Sequence, residues 1–140
     1  MPNRFEAGLQ DYANLIALGE ACRYLKKVGL ANIAKHEIKL NTLITNALIT
    51  EPKISLLGPK DPSLRSGVFS FTVKGMDIHH VSGILNKSKN IMVRSGAHCV
   101  HSWFNAHNMK GSVRASLYLY NTEEEIKVFV EEVKKILTMI

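Results

Sequence analysis

An α+β domain is the fold class predicted by three features of the 140-residue sequence. Two leading stretches carry apolar residues at helical spacing. Two later stretches alternate with the two-residue period of a strand, and shorter helical stretches fall between and after them. The first helix is expected over about Asp11–Val28, with Leu15, Leu18, Cys22 and Leu25 on one stripe and Gly29 ending it. Cys22 therefore reads as a core residue. A second helix runs from about Leu30 to Thr50, with Ile33, Leu40, Ile44, Ala47 and Leu48 inward, until Pro52 stops it. Lys53–Leu57 reads as a short strand, and Gly58-Pro59 with Asp61-Pro62 mark a loop.

Gly67–Val73 alternates, placing Phe69, Phe71 and Val73 on one face and Val68, Ser70 and Thr72 on the other. Asp77–Leu85 reads as a helix capped by Asp77, with His79-His80 split between solvent and a neighbouring element. Asn90–Arg94 reads as a brief strand ending at Ser95-Gly96, and Cys99–Asn108 as a polar, aromatic helix in which Trp103 and Phe104 pack. Ser112–Tyr120 alternates, with Val113, Ala115, Leu117 and Leu119 on one side. The last helix opens on the capping box Thr122-x-x-Glu125 and buries Ile126, Phe129, Val133, Ile136 and Ile140 over the sheet.

Composition narrows the function classes. A hydrophobic share of 46% with 9 Gly and 4 Pro excludes a disordered or fibrous chain. No apolar run suffices for a membrane span: Ala13–Ala21 breaks at Glu20, and Leu43–Ile49 breaks at Thr45 and Asn46. Met1–Glu6 has no apolar stretch, so no secretory signal is expected. Two cysteines make no disulfide framework, which points to a reducing, cytoplasmic setting. The net charge of +6 comes mostly from scattered lysines, so it reads as solvated surface and not as a nucleic-acid footprint.

Chemistry concentrates in Arg94-Ser95-Gly96-Ala97-His98-Cys99. A cysteine becomes a nucleophile when its thiolate is populated, which nearby cations, imidazolium or a helix N-terminus favour. Cys99 has His98 beside it, Arg94 five residues before it and an expected helix start at its own position. Without those supports an isolated cysteine is a small buried hydrophobe. Arg114 lies mid-strand opposite the apolar face, where a guanidinium serves either an ordinary salt bridge or a bidentate carboxylate clamp. A metal site from His98, Cys99, His101 and His107 fits no standard zinc spacing.

Three blocks in order resemble one family. Arg4-Phe5-Glu6-Ala7-Gly8 is similar to the RFEAG segment of SufS-type cysteine desulfurases, in the class V aminotransferase group. Arg94–Cys99 resembles their R-[ST]-G-x-H-C loop, and Val113-Arg114-Ala115-Ser116 with Tyr120-Asn121-Thr122 resembles their V-R-A-S…Y-N-T ending. The loop lacks the long insertion of the NifS/IscS-type branch. The resemblance implies the C-terminal small domain of the aspartate-aminotransferase fold, with residues 1–28 as the connection from a large domain and about 29–140 as the small domain. It implies pyridoxal phosphate as cofactor in the complete enzyme, and a homodimer. Sulfur or selenium would be taken from cysteine or selenocysteine, leaving alanine, and passed to an acceptor protein, with iron–sulfur cluster assembly as a destination. Cys99 matches the persulfide-forming nucleophile and Arg114 the substrate-carboxylate arginine. Arg94 and His98 match flanking residues that shape the loop and its charge.

The resemblance also exposes gaps. None of the six histidines is followed by a lysine, as a Schiff-base lysine of that family usually is. The part carrying it is expected before Met1, on the same or a separate chain, and this chain alone is expected to bind no cofactor. Leu9 stands where members commonly carry a threonine that reaches the neighbouring subunit's cofactor phosphate, and Ala97 where many carry a second histidine. These departures motivate the competing reading, a non-catalytic module that binds a partner or accepts sulfur on Cys99. Apolar surface on the first two helices is expected to be exposed in the isolated chain.

Overall fold

The computed structural model describes residues 8–140, so the Arg4–Ala7 part of the first block lies outside the described residues. The chain divides into two compact units, the first ending at Ile33 and the second running from Ala34 to Ile140. In the first, α1 (Tyr12–Val28) is capped by the Asp11 carboxylate, which accepts from Asn14 N–H, and ends at Gly29 with φ +92°. None of its residues is buried, and Cys22 is exposed. This corrects the core placement of Cys22: helical spacing makes a stripe, but only a covering element turns a stripe into core.

In the second unit, α2 (Leu30–Leu48, from Ala34 onward), β1 (Ile54–Leu57), β2 (Val68–Val73), α3 (Ile78–Lys89), β3 (Arg94–Gly96), α4 (His101–Ala106), β4 (Ser112–Ser116) and α5 (Glu123–Leu137) follow in order. The strands form one antiparallel sheet in the order β1-β2-β4-β3. Leu40, Ile44 and Leu48 of α2, Val81 and Leu85 of α3, and Ile126, Phe129, Val133 and Ile136 of α5 close over Phe69, Phe71, Val73 and Val113. Each such side chain contributes about 1.5–3 kcal/mol when fully buried. Phe71 meets Phe129 edge-on at 6.2 Å between ring centroids. Polar fastenings join α2 to its surroundings. Asn41 donates to Ser66 O at 2.6 Å, Arg65 donates to Thr45 Oγ1 while its guanidinium lies over Phe69, and Lys39 pairs with Glu123 of α5.

The register sorts residues between two faces. Phe71 pairs with Val113 and Val113 with Ser95, so these share the helix-covered face. Ser70, Arg114 and Arg94 are mutually in register on the other face, as are Ser112 and Gly96.

Several element boundaries differ from expectation for local reasons. The Asn90–Arg94 strand is displaced to Arg94–Gly96, because Asn90 ends α3 in the left-handed region (φ +55°) and Ile91 N–H still bonds back to Leu85 O. The Ser112–Tyr120 strand stops at Ser116, where Asn121 folds the chain by accepting from Tyr118 N–H. Ile140 is exposed, since α5 ends at Leu137, which is buried in its place. The capping box at Thr122 and Glu125 forms as expected.

Gly111 enters β4 at φ +142°, and a Cβ there would stand 2.6 Å from the Gly96 carbonyl. The backbones of β3 and β4 meet there with no room for a side chain. Gly83, in the middle of α3, has nothing within 4 Å of its Cβ position. Two opposite outcomes are therefore expected from one substitution. Gly83→Ala raises stability by about 0.5–1 kcal/mol through helix propensity, whereas Gly111→Ala lowers it by more than about 1 kcal/mol. Thermal melts of the two variants check both signs.

Candidate active site

The R-S-G-A-H-C segment forms the edge strand β3 and the turn that follows it. Ala97 O accepts from Val100 N–H at 2.8 Å, and the two central residues, His98 (φ +52°) and Cys99 (φ +64°), are both left-handed. Positive φ at both central positions is the combination found in type I′ turns, and for non-glycine residues it is held by surrounding contacts. Cys99 is exposed. It lies in the turn and not at a helix start: α4 begins two residues later, at His101, and spans six residues. The helix N-terminus expected to support the thiol is therefore replaced by a side chain. Arg94 Nη2 donates to Cys99 Sγ at 3.3 Å. A guanidinium N–H on sulfur stabilises negative charge there.

Arg114 stands beside this contact. It is half-buried in β4, directly across from Arg94 of β3, and its Nε is buried without a hydrogen-bond partner among the described residues. Two like charges facing each other across a ladder repel. No described carboxylate lies within ion-pair distance of either arginine. A small carboxylate bound between them would relieve that repulsion and meet the geometry a guanidinium prefers.

His98 turns away from the sulfur. Its Nε2 shares a 2.8 Å hydrogen bond with the buried Ser112 Oγ, and its ring packs 6.0 Å from that of Phe104. On the opposite face of the ladder, His79 Nδ1 shares a 2.9 Å bond with Ser95 Oγ. His107 stacks on Trp103, which is half-exposed, while Phe104 is buried. Of the residues singled out in the sequence, Arg94, His98, Cys99 and Arg114 thus come together. Ser112 carries no signal in the sequence, and His79 is expected there only beside solvent or an unnamed neighbour; tertiary contacts reveal what each one touches.

Burial, foremost, and then the charges of Arg114 and Arg94 hold the His98 imidazole below its ordinary range, with the Ser112 backbone opposing. The unfolded chain takes up this proton near pH ~6.5, whereas the folded chain resists it until lower pH. The stability owed to neutral His98 is therefore complete above about that pH and is lost as pH falls below it. Urea melts should show a steeper loss from about pH 7 to about pH 5 for the native chain than for His98→Gln, which carries no titrating ring.

The chain is similar to known proteins over most of its length. A probable cysteine desulfurase from Synechocystis is 36% identical over 135 residues, 96% of this chain and 32% of that protein. One from Pyrococcus abyssi is 38% identical over 129 residues, again 32% of its length. The apo structure of a cysteine desulfurase from Thermococcus onnurineus superposes with a TM-score of 0.90 at 35% identity, covering 99% of this chain and 34% of that one. The chain thus spans about a third of the length of the relatives it matches. Its α+β unit has the fold of the matching third of that Thermococcus cysteine desulfurase. The family profile described as Aminotransferase class-V matches residues 1–129, and the chain belongs to that family.

Proposed function

We propose that this chain supplies the sulfur-accepting and substrate-anchoring half of a cysteine desulfurase active site. The observation that carries the reading is the Arg94–Cys99 contact beside Arg114. It joins an exposed sulfur, a cation on that sulfur and a second cation for a carboxylate within one short ladder. The relatives named as cysteine desulfurases support the same reading.

In the proposed reaction the α-carboxylate of L-cysteine binds Arg114, which fixes the substrate's orientation. The Cys99 thiolate attacks the substrate sulfur, and an S–S bond forms as the C–S bond breaks. The electron pair of the broken bond passes to the three-carbon fragment, which takes up a proton and leaves as alanine. Cys99 retains the sulfur as a persulfide, with Arg94 placed to stabilise its terminal charge. An acceptor protein then takes that sulfur.

Family members use pyridoxal phosphate to labilise the C–S bond. The side chains gathered at Cys99 do not fit that group, because its Schiff base needs a lysine and the set holds only guanidiniums, an imidazole, hydroxyls and a thiol. We assign the cofactor site to a part of the protein beyond this chain's third of the family length, either continuous with it or on a partner chain. Residues up to about 28 serve as the connection to that part, and a homodimer completes the assembly.

In the assembled enzyme, Cys99→Ser is expected to abolish alanine and sulfide production from L-cysteine, with substrate binding retained. Undiminished sulfide release would contradict the proposal. Arg114→Met is expected to raise KM for L-cysteine at least about tenfold, the cost of one lost charge-assisted pair. An unchanged KM would remove Arg114 from the carboxylate site.

A further inference from the structure

The turn that presents Cys99 hangs from a three-residue edge strand, which by itself is a weak support. Its two left-handed non-glycine residues also cost backbone energy that the surroundings must offset. Two histidine–serine hydrogen bonds grip this edge from opposite sides. On the helix-covered face, His79 of α3 holds Ser95 through Nδ1. On the other face, His98 reaches back from the turn to Ser112 of β4 through Nε2. Ser95 and Ser112 belong to adjacent rungs of the same ladder, Ser95 opposite Val113 and Gly96 opposite Ser112. The Gly96–Gly111 backbone approach lies at that same end. Neither imidazole bonds to the sulfur.

We propose that the His79–Ser95 and His98–Ser112 hydrogen bonds form a two-sided clamp that positions the Cys99 turn so that its sulfur meets the Arg94 guanidinium. The two histidines and two serines are positioning residues and do not exchange protons with the substrate. The clamp matters to catalysis only if Cys99 is the reacting sulfur, so in that respect the inference rests on the proposed function. Its geometry stands independently of that reading.

The tautomer-specific contacts dictate the test. Asparagine places an amide near an imidazole Nδ1, and glutamine places one near Nε2, so His79→Asn and His98→Gln preserve the bonds that alanine removes. The readout is the iodoacetamide alkylation rate of Cys99 in this chain, resolved by peptide mass. Exposed Cys22 serves as the internal reference. His98→Ala, Ser112→Ala and His79→Ala should each slow Cys99 by about two- to tenfold, the worth of one hydrogen bond. His98→Gln and His79→Asn should stay near the native rate, and Cys22 should not change. In an Arg94→Met background the alanine variants should cause no further loss, because the clamp acts through that arginine.

Ser112→Ala removes a single oxygen and keeps the test valid if a histidine variant does not fold. Native rates in the alanine variants, no advantage of Gln and Asn over Ala, or an equal loss without Arg94 would each overturn the proposal. Alkylation needs neither cofactor nor cysteine substrate. A chain that shows the clamp yet makes no persulfide in the assembled enzyme would therefore refute the functional reading alone.

Discussion

Everything at this site depends on one constraint: Arg94 and Arg114 are in register on the same face of the β3–β4 ladder, with no described carboxylate within ion-pair distance of either. Like charges directly opposite on a ladder are an unfavourable pairing in general. It persists because the ladder is backed by a packed core, in which Phe71 and Val113 lie in register directly behind the arginine-bearing face. Arg94 directs its charge toward sulfur, while Arg114 retains an unpartnered, buried Nε. The helix-covered face thus supplies the packing on which the arginine-bearing face rests, and under the proposed function that face binds an anion and a thiolate.

The same division explains why short elements suffice. β3 has three residues and α4 six, and neither would persist alone. They persist because β4 is locked to β2 over four register pairs and α3 packs on β2, β3 and β4. Support passes from the centre of the sheet outward, and Cys99 sits at the end of that chain of support.

Much of this was legible in residue order. The β2 alternation, the Asp77 and Thr122 caps and the apolar stripe of α5 are local patterns, and local patterns are what sequence periodicity encodes. The chemical cluster was legible through its motif, R-S-G-A-H-C followed by V-R-A-S. What escaped depends on non-local partners. The opposition of Arg94 and Arg114 follows from register between residues far apart in the chain. The left-handed turn holding His98 and Cys99 is accompanied by non-local contacts of His98 with Ser112 and Phe104, which residue order does not reveal. Cys22 was misplaced for the converse reason, since a stripe on α1 says nothing about whether a neighbour covers it.

The most direct measurement is the mass of the Cys99 peptide after the assembled enzyme has been exposed to L-cysteine and rapidly trapped with an alkylating agent. An alkylated Cys99 peptide heavier by one sulfur atom, with Cys22 alkylated but carrying no extra sulfur, is the result expected of a persulfide-forming nucleophile. Alkylated Cys99 without the extra sulfur while alanine accumulates would contradict its assignment as the sulfur acceptor, and with it the reading of the arginine pair.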